Sequence, residues 1–468
     1  MKLLAQEIAQ ATGGTLVHGS PKTVLNGVSI DSRTIRLGQL FVPLVGSRYD
    51  GHDFIADALQ RGAKGFLFHR ELSCSVPESV VAIRVHDTLH ALSDLARWAV
   101  TKLKAQIIAV AGSNGKTTTK ELIAHVLALR ARTHATIGNQ NTELGLPLTV
   151  LNAPDDTEIL VLEMGTTALG DVRRLCQIAP PTVGVLTSIS EEHLATLRGL
   201  ERIIEAETEL LEALPSDGLA IVNGDDPDVL ATVRRKTRCR LVTLGFAPHN
   251  DFVAEGLKIS REGTRFFVKS HSVQGEMQLS LLGRPAVLAA LAATAVAHHL
   301  GLSCSEICRE LQSARGTWGR LQLVSIPNTA ITVLHDAYNA NPASMREAIF
   351  CAAQIRRPDE ELIFVLGDML ELGAISERAH REIGRLLADP HVRPDRLITV
   401  GEQAQFIGEE AAYLGIPVQH YATSDEAARA LDLPDTRRYF ILLKGSRGMR
   451  LERVLDKLCP FDSSITPL

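Results

Sequence analysis

The strongest constraint on this chain is a loop, Gly112-Ser113-Asn114-Gly115-Lys116-Thr117-Thr118. It follows an apolar run, Gln106 to Ala111, and leads into a stretch of helical character from Lys116. A buried strand that turns through glycines into a helix aims the first N–H groups of that helix at whatever lies above the turn. Glycine lets those amides approach phosphate oxygens, Lys116 can neutralise terminal phosphates, and Thr117 can ligate Mg²⁺. The loop is a shortened variant, because Val110 stands where the usual pattern has its first glycine. The competing reading is a tight strand-to-helix turn that binds nothing.

Further apolar strands are expected at Ile159 to Leu162, Val183 to Leu186 and Leu219 to Val222, with helical stretches between them. That alternation predicts an α/β fold with a mostly parallel central sheet. Ligands of such sheets gather beyond the carboxyl ends of the strands, where Gly112, Glu163 and the segment Ser188 to His193 all fall. Phe252 to Gln278 alternates in polarity and reads as an antiparallel insertion, and the Ala-rich stretch from Pro285 to Leu300 reads as a buried helix. A chain of 468 residues exceeds what one core serves, so we expect three α/β domains, 1–103, 104–315 and 316–468. The first should hold a strand at Gly65 to Phe68 and a helix over Phe54 to Arg61. The third, Rossmann-like, should hold strands at Ile331 to Leu334, Leu362 to Leu366, Leu397 to Val400 and Tyr439 to Leu443.

Composition narrows the function classes. A net charge of -5 offers no electrostatic footprint for nucleic acid, and the basic run Arg234-Arg235-Lys236 reads as a solvated face. No run reaches the roughly 18 to 20 apolar residues needed to cross a bilayer, and the N-terminus lacks the apolar stretch of a secretory signal. A cytoplasmic monomer without membrane insertion, acting on small molecules, is the expectation. The 7 cysteines are scattered without metal-ligand pairs and read as reduced thiols, with only Cys304 and Cys308 able to share a helical face.

Glu163 ends an apolar strand at the ligand edge, where it can hold a Mg²⁺ shared with phosphate; the plainer alternative is a surface carboxylate. His193 follows another strand, so a neutral imidazole can reach the same site. Taken together, the loop, Glu163 and His193 resemble the central domain of the Mur ligase family, the ATP-dependent amide ligases of peptidoglycan synthesis. The resemblance runs nearly the whole chain. Asp31-Ser32-Arg33, Gly38 to Leu44 and Asp50 to Ile55 resemble the family's UDP-binding domain, which implies substrate contacts at Ser32 and Arg33. Gly138-Asn139-Gln140-Asn141-Thr142 resembles a substrate loop, implying roles for Asn139 and Asn141. His335 to Pro342, Gly367 to Gly373 and Lys444-Gly445-Ser446-Arg447-Gly448 resemble the branch that adds D-alanyl-D-alanine to UDP-N-acetylmuramoyl-tripeptide.

That resemblance implies a three-domain Mur ligase architecture. It implies ATP and Mg²⁺ at Gly112, Ser113, Asn114, Gly115, Lys116, Thr117 and Thr118, with Lys116, Glu163 and His193 catalytic. It also implies nucleotide contacts at Arg320 and Asp336, and substrate contacts at Tyr338, Asn339, Asn341, Lys444, Ser446 and Arg447. Asp336 can instead cap a turn, and Arg320 can be a surface ion pair. Two departures stand out. Family members commonly carry a carbamylated lysine where Glu207 stands, so Glu207 is expected to serve the metal directly, or else to be one more solvated acid of its helix. Relatives also place His-Asn where Pro285-Ala286 stand, and another Asn, which contacts adenine, where Ala289 stands. Rival readings are the tripeptide-forming ligase of the same family, a folylpolyglutamate synthase, and, from another class, a nucleotide-switch ATPase.

Overall fold

The computed structural model describes residues 1–72 and 75–459, so Cys74 lies outside the described residues. Three main sheets follow one another along the chain, and Lys2–Leu4 and Val24–Asn26 form a separate antiparallel pair beside the first. The middle one carries nine strands in the order Gln274–Leu279, Gly263–Lys269, Phe252–Ser260, Arg240–Gly245, Leu219–Asn223, Val183–Leu186, Gln106–Ala111, Ile159–Glu163 and Thr133–Ala135. Its strands run parallel from Thr133–Ala135 through to Phe252–Ser260, and the last two pairings are antiparallel, as the polar insertion predicted.

Alternation along the central strand divides the core between the two faces of this sheet. Ile107, Ala109 and Ala111 face a cluster with Leu160 and Leu162, while Ile108 and Val110 face another with Val161 and the Ala-rich helix Gly283–His299. That helix packs on Lys116–Leu127, the helix that leaves the phosphate loop. The loop is therefore pinned between a strand buried from Ile107 to Ala111 and a helix held on its apolar side.

The N-terminal sheet has five short strands, parallel except where Thr15–His18 meets Val81–Arg84. The expected helix over Phe54 to Arg61 is shorter, with a 3-10 turn Gly51–Phe54 preceding Ile55–Gln60. Asp50 starts that turn by accepting from the His52 amide at 2.9 Å, a capping bond that favours the tighter turn over regular helix. Helix Thr88–Leu103 is capped by Asp87 and stops at Lys104, which sits in the left-handed region. Its buried Leu92, Leu95, Ala96 and Ala99 join Leu3 and Ile83 to Leu146 and Leu160 in one cluster. The N-terminal unit thus shares a core with the middle one.

The third sheet has six strands, in the order Gln322–Ser325, Ile331–Asp336, Arg438–Lys444, Glu360–Gly367, Arg396–Val400 and Val418–Tyr421, all parallel except the first pair. The carboxyl ends of Ile331–Asp336 and Arg438–Lys444 therefore lie side by side, Asp336 against Lys444. They face the phosphate loop across a cleft. No helix among the described residues is long and apolar enough to cross a membrane.

Candidate functional site

The loop owes its shape to two left-handed glycines. Gly112 has φ 120°, and a Cβ there would stand 2.2 Å from the Thr187 hydroxyl; Gly115 has φ 84° and starts the helix. The Ser113 amide donates to Ser188 O at 2.8 Å, and the Ser113 and Ser190 side chain and backbone bond each other at 3.0 and 3.1 Å. These bonds tie the loop to the end of the neighbouring strand. A helix that begins at Lys116 leaves its first amides without partners inside the helix, and Lys116, Thr117 and Thr118 all line the cleft.

The cleft encloses about 570 Å³. Its wall unites Ser113 to Thr118, Asn141, Glu163 and His193 with Arg320, Asp336, Tyr338, Asn339, Asn341 and Lys444. Residues more than 200 positions apart in the chain are thus in contact. Arg320 donates from Nη2 to the Thr117 hydroxyl at 3.0 Å while its guanidinium lies 4.4 Å from the Tyr338 ring centre. Asn341 Nδ2 donates to Asn114 Oδ1 at 2.9 Å. Asp336 pairs with Lys444 Nζ at 2.7 Å and accepts the Leu321 amide at 3.1 Å. Lys444 is buried, and desolvation lowers its pKa despite Asp336 beside it.

Lys116 donates from Nζ to Gly112 O and to Ser113 O, the latter at 3.1 Å. Burial works against its charge, but Glu192, then Glu207 and Glu163, outweigh it and hold the ammonium above its ordinary pKa. Glu163 is buried; Oε1 accepts from Asn141 Nδ2 at 2.9 Å, and Oε2 has no hydrogen-bond partner. His193 sits at φ 50° and pairs through Nδ1 with Glu371 from the third unit. Oxygen donors with a spare buried lone pair suit Mg²⁺. No three His, Cys, Asp or Glu side chains among the described residues are grouped to hold an ion alone, so an ion here would be completed by phosphate oxygens and water.

Several expected residues stand elsewhere. Glu207 is fully buried behind the loop rather than in the cleft wall; its Oε2 accepts the Gly112 amide at 2.7 Å, and Oε1 has no hydrogen-bond partner. It is not a solvated acid, and its position favours support of the loop over direct contact with a metal in the cleft. Asn139, Ser32, Arg33, Ser446 and Arg447 also lie off the cleft wall. Asn139 is exposed, Arg33 pairs with Asp31 at 2.7 Å at the surface, and Arg447 pairs with Glu452 at 3.3 Å. Ser446 is buried and accepts the Leu370 amide at 2.9 Å, a bond that shapes the third unit's own loop. Sequence reasoning missed Glu192, a buried carboxylate in the wall 3.5 Å from Lys116 Nζ. The doubled Glu191-Glu192 before His193 was the available signal. Pro285, Ala286 and Ala289 line the cleft and present no polar side-chain atom.

Family models for the Mur ligase family catalytic domain, the Mur ligase middle domain, and the Mur ligase glutamate ligase domain match residues 24–99, 110–297 and 319–447. The chain is 36% identical over 98% of its length to UDP-N-acetylmuramoyl-tripeptide--D-alanyl-D-alanine ligase of Bacillus subtilis, covering 98% of that protein. It is 31% identical over 93% of its length to the enzyme of the same name from Escherichia coli, covering 94% of it. A crystal structure of MurF from Acinetobacter baumannii superposes with a TM-score of 0.87 at 28% identity, over 98% of this chain and 99% of that one. MurF ligase from Thermotoga maritima in complex with ADP superposes at 0.79 and 28% identity, over 92% and 97%. With the three-sheet α/β architecture and a cleft between its second and third units, this chain belongs to the Mur ligase family.

Proposed function

We infer that the chain is an ATP-dependent amide ligase that joins D-alanyl-D-alanine to UDP-N-acetylmuramoyl-tripeptide, as a cytoplasmic monomer of peptidoglycan precursor synthesis. The names of its full-length relatives support the substrates. The single observation that carries the chemistry is the cleft itself, where a phosphate-type loop and Glu163 meet Arg320 and Lys444 from another domain. We take the domains as 1–103, 104–315 and 316–468.

The reaction brings anions together. A tripeptide carboxylate oxygen attacks the γ-phosphorus of ATP and ADP leaves; the dipeptide amine then attacks the acyl carbon, inorganic phosphate departs, and the amine loses a proton. Positioning and charge compensation supply most of the rate in such transfers. The free amides at Lys116 to Thr118 and the Lys116 ammonium meet the β- and γ-phosphates. Arg320, stacked on Tyr338 and bonded to Thr117, brings a second fixed cation, and Asp336 would meet the ribose. Thr117, Glu163 and His193 would hold Mg²⁺, which when bound would neutralise phosphate charge as a Lewis acid. Glu207 supports the metal-bearing loop through Gly112. Ser32 and Arg33 would meet the UDP end, Asn139 and Asn141 the peptide. Tyr338, Asn339, Asn341, Lys444, Ser446 and Arg447 would order the dipeptide end.

The test is a phosphate-release assay over a panel of acceptors and amines. Release should require UDP-N-acetylmuramoyl-tripeptide and D-alanyl-D-alanine together. Release at the full rate from ATP alone, or under stimulation by a protein, would favour the switch ATPase. Release with a free amino acid in place of the dipeptide would favour the tripeptide-forming ligase.

A further inference from the structure

Glu192 is 7% exposed, and its Oε1 is buried without a hydrogen-bond partner. The only cation within 4.0 Å of it among the described residues is Lys116, at 3.5 Å. That contact is too long for a strong hydrogen bond, and Lys116 gives two of its three N–H donors to the Gly112 and Ser113 carbonyls. A carboxylate removed from water needs a charged or hydrogen-bonding partner, so Glu192 depends on Lys116 for compensation. Phosphate bound at the loop competes for the same ammonium. If Lys116 turns to the phosphate, Glu192 becomes a buried anion beside a polyanion. Across the same cleft wall Glu163 Oε2 also lacks a partner. Two carboxylates of the cleft wall thus each keep one hard oxygen with spare lone pairs, the kind of donor that a small divalent cation takes together with phosphate oxygens and water.

We propose that Glu192 is a cation-binding carboxylate that exchanges Lys116 for a divalent metal when nucleotide phosphate binds, so that metal and nucleotide bind cooperatively through it. The inference rests on the reading of the cleft as a nucleotide site. Among the described residues Glu192 is also the only carboxylate within 4.0 Å of the Lys116 ammonium. Glu207 is not an equivalent candidate, because it lies behind the loop and outside the cleft wall.

The experiment is calorimetric titration of a non-hydrolysable ATP analogue, adenylyl imidodiphosphate, into the full chain with Mg²⁺ and with EDTA. In the wild type Mg²⁺ should tighten binding about tenfold or more, within the usual range of coupling between sites. Glu192→Gln should bind the analogue more tightly than wild type in EDTA, because a repelling charge is gone, and should lose most of the Mg²⁺ enhancement. Mn²⁺ titration followed by electron paramagnetic resonance should show weaker ion binding in the same variant. Equal Mg²⁺ enhancement in wild type and Glu192→Gln overturns the proposal. If Glu192→Gln does not fold, Glu192→Asp draws the charge back by one methylene and should lower the enhancement, and an unchanged ratio there overturns it too. A wild type that binds no analogue in either buffer overturns instead the nucleotide reading beneath it.

Discussion

Two regions expected to meet phosphate are built on opposite physical plans. Around Lys116 the side chains are wholly or partly buried and cross-bonded, Asn114 to Asn341 and Arg320 to Thr117 between domains and Asp336 to Lys444 within the third. Around Asp31 and Arg33 the charges lie at the surface, and Arg33 is 80% exposed. In the first plan each group fixes the position of its neighbours before a ligand arrives, so losing one group disturbs the rest. In the second, an exposed side chain offers charge without geometry, and its loss stays local. The difference predicts where substitutions reach the rate of reaction and where they reach only affinity.

The largest effect should come from Lys116→Ala. It removes the cation at the centre of the buried set and leaves Glu192 without a partner, so kcat should fall about a hundred- to a thousandfold, the range seen when one preorganised stabilising group is lost. Single-turnover phosphate release would measure it. A loss below about tenfold would mean that the buried plan does not carry the catalysis.

Glu207 sharpens the comparison from behind the loop. Its carboxyl is pushed up to about 7, with burial raising it most, Lys116 pulling it down and Glu192 adding to the rise. A carboxyl whose folded pKa lies above its unfolded value binds an extra proton in the fold, so its contribution to stability falls as pH rises through that window. The window runs from 4.5, its ordinary value, to about 7. Above it the ionised group costs on the order of 3 kcal/mol. Glu207→Gln keeps an acceptor for the Gly112 amide and removes the charge. It should therefore melt at a higher temperature than wild type at pH 8 and at nearly the same temperature at pH 5. A variant destabilised at pH 8 would instead show that the loop needs the ionised carboxylate as a counter-ion to Lys116.

What the sequence revealed follows the same division. The strand Gln106–Ala111 and the helix from Lys116 were legible to the residue, because buried parallel strands read as unbroken apolar runs and the glycine turn marks their end. Four of the six strands of the third sheet were found for the same reason. Edge strands such as Thr133–Ala135 and Val418–Tyr421 were not, since three or four half-buried residues leave too short a pattern. In the site, Glu163 and Arg320 could be placed by their positions after a strand and at a domain junction. The burial of Glu192 and the placing of Glu207 behind Gly112 could not, because Glu192 lies in the irregular segment before Leu194–Leu197 and Glu207 ends the helix Leu200–Glu207, and both depend on how those distant pieces pack under the loop. Acidic residues in a charged stretch look solvated until that packing is known.

The smallest effect should come from Arg33→Ala, which breaks the comparison if it proves large. Arg33 bonds Asp31 through both Nε and Nη2, at 3.0 and 2.7 Å, but the pair lies in water and buries no apolar surface that depends on it. The 3-10 turn Ser32–Thr34 retains its start without the guanidinium, because Asp31 also accepts the Arg33 backbone amide at 2.9 Å. The melting temperature should therefore stay unchanged. If Arg33 meets the UDP end of the acceptor, KM for UDP-N-acetylmuramoyl-tripeptide should rise several-fold to about tenfold, the worth of one charge-assisted hydrogen bond, while kcat holds. Steady-state kinetics with the acceptor varied separates these quantities. A fall in kcat to match the rise in KM would show that this exposed arginine is drawn into the cleft during turnover, and the two regions would then be parts of one site.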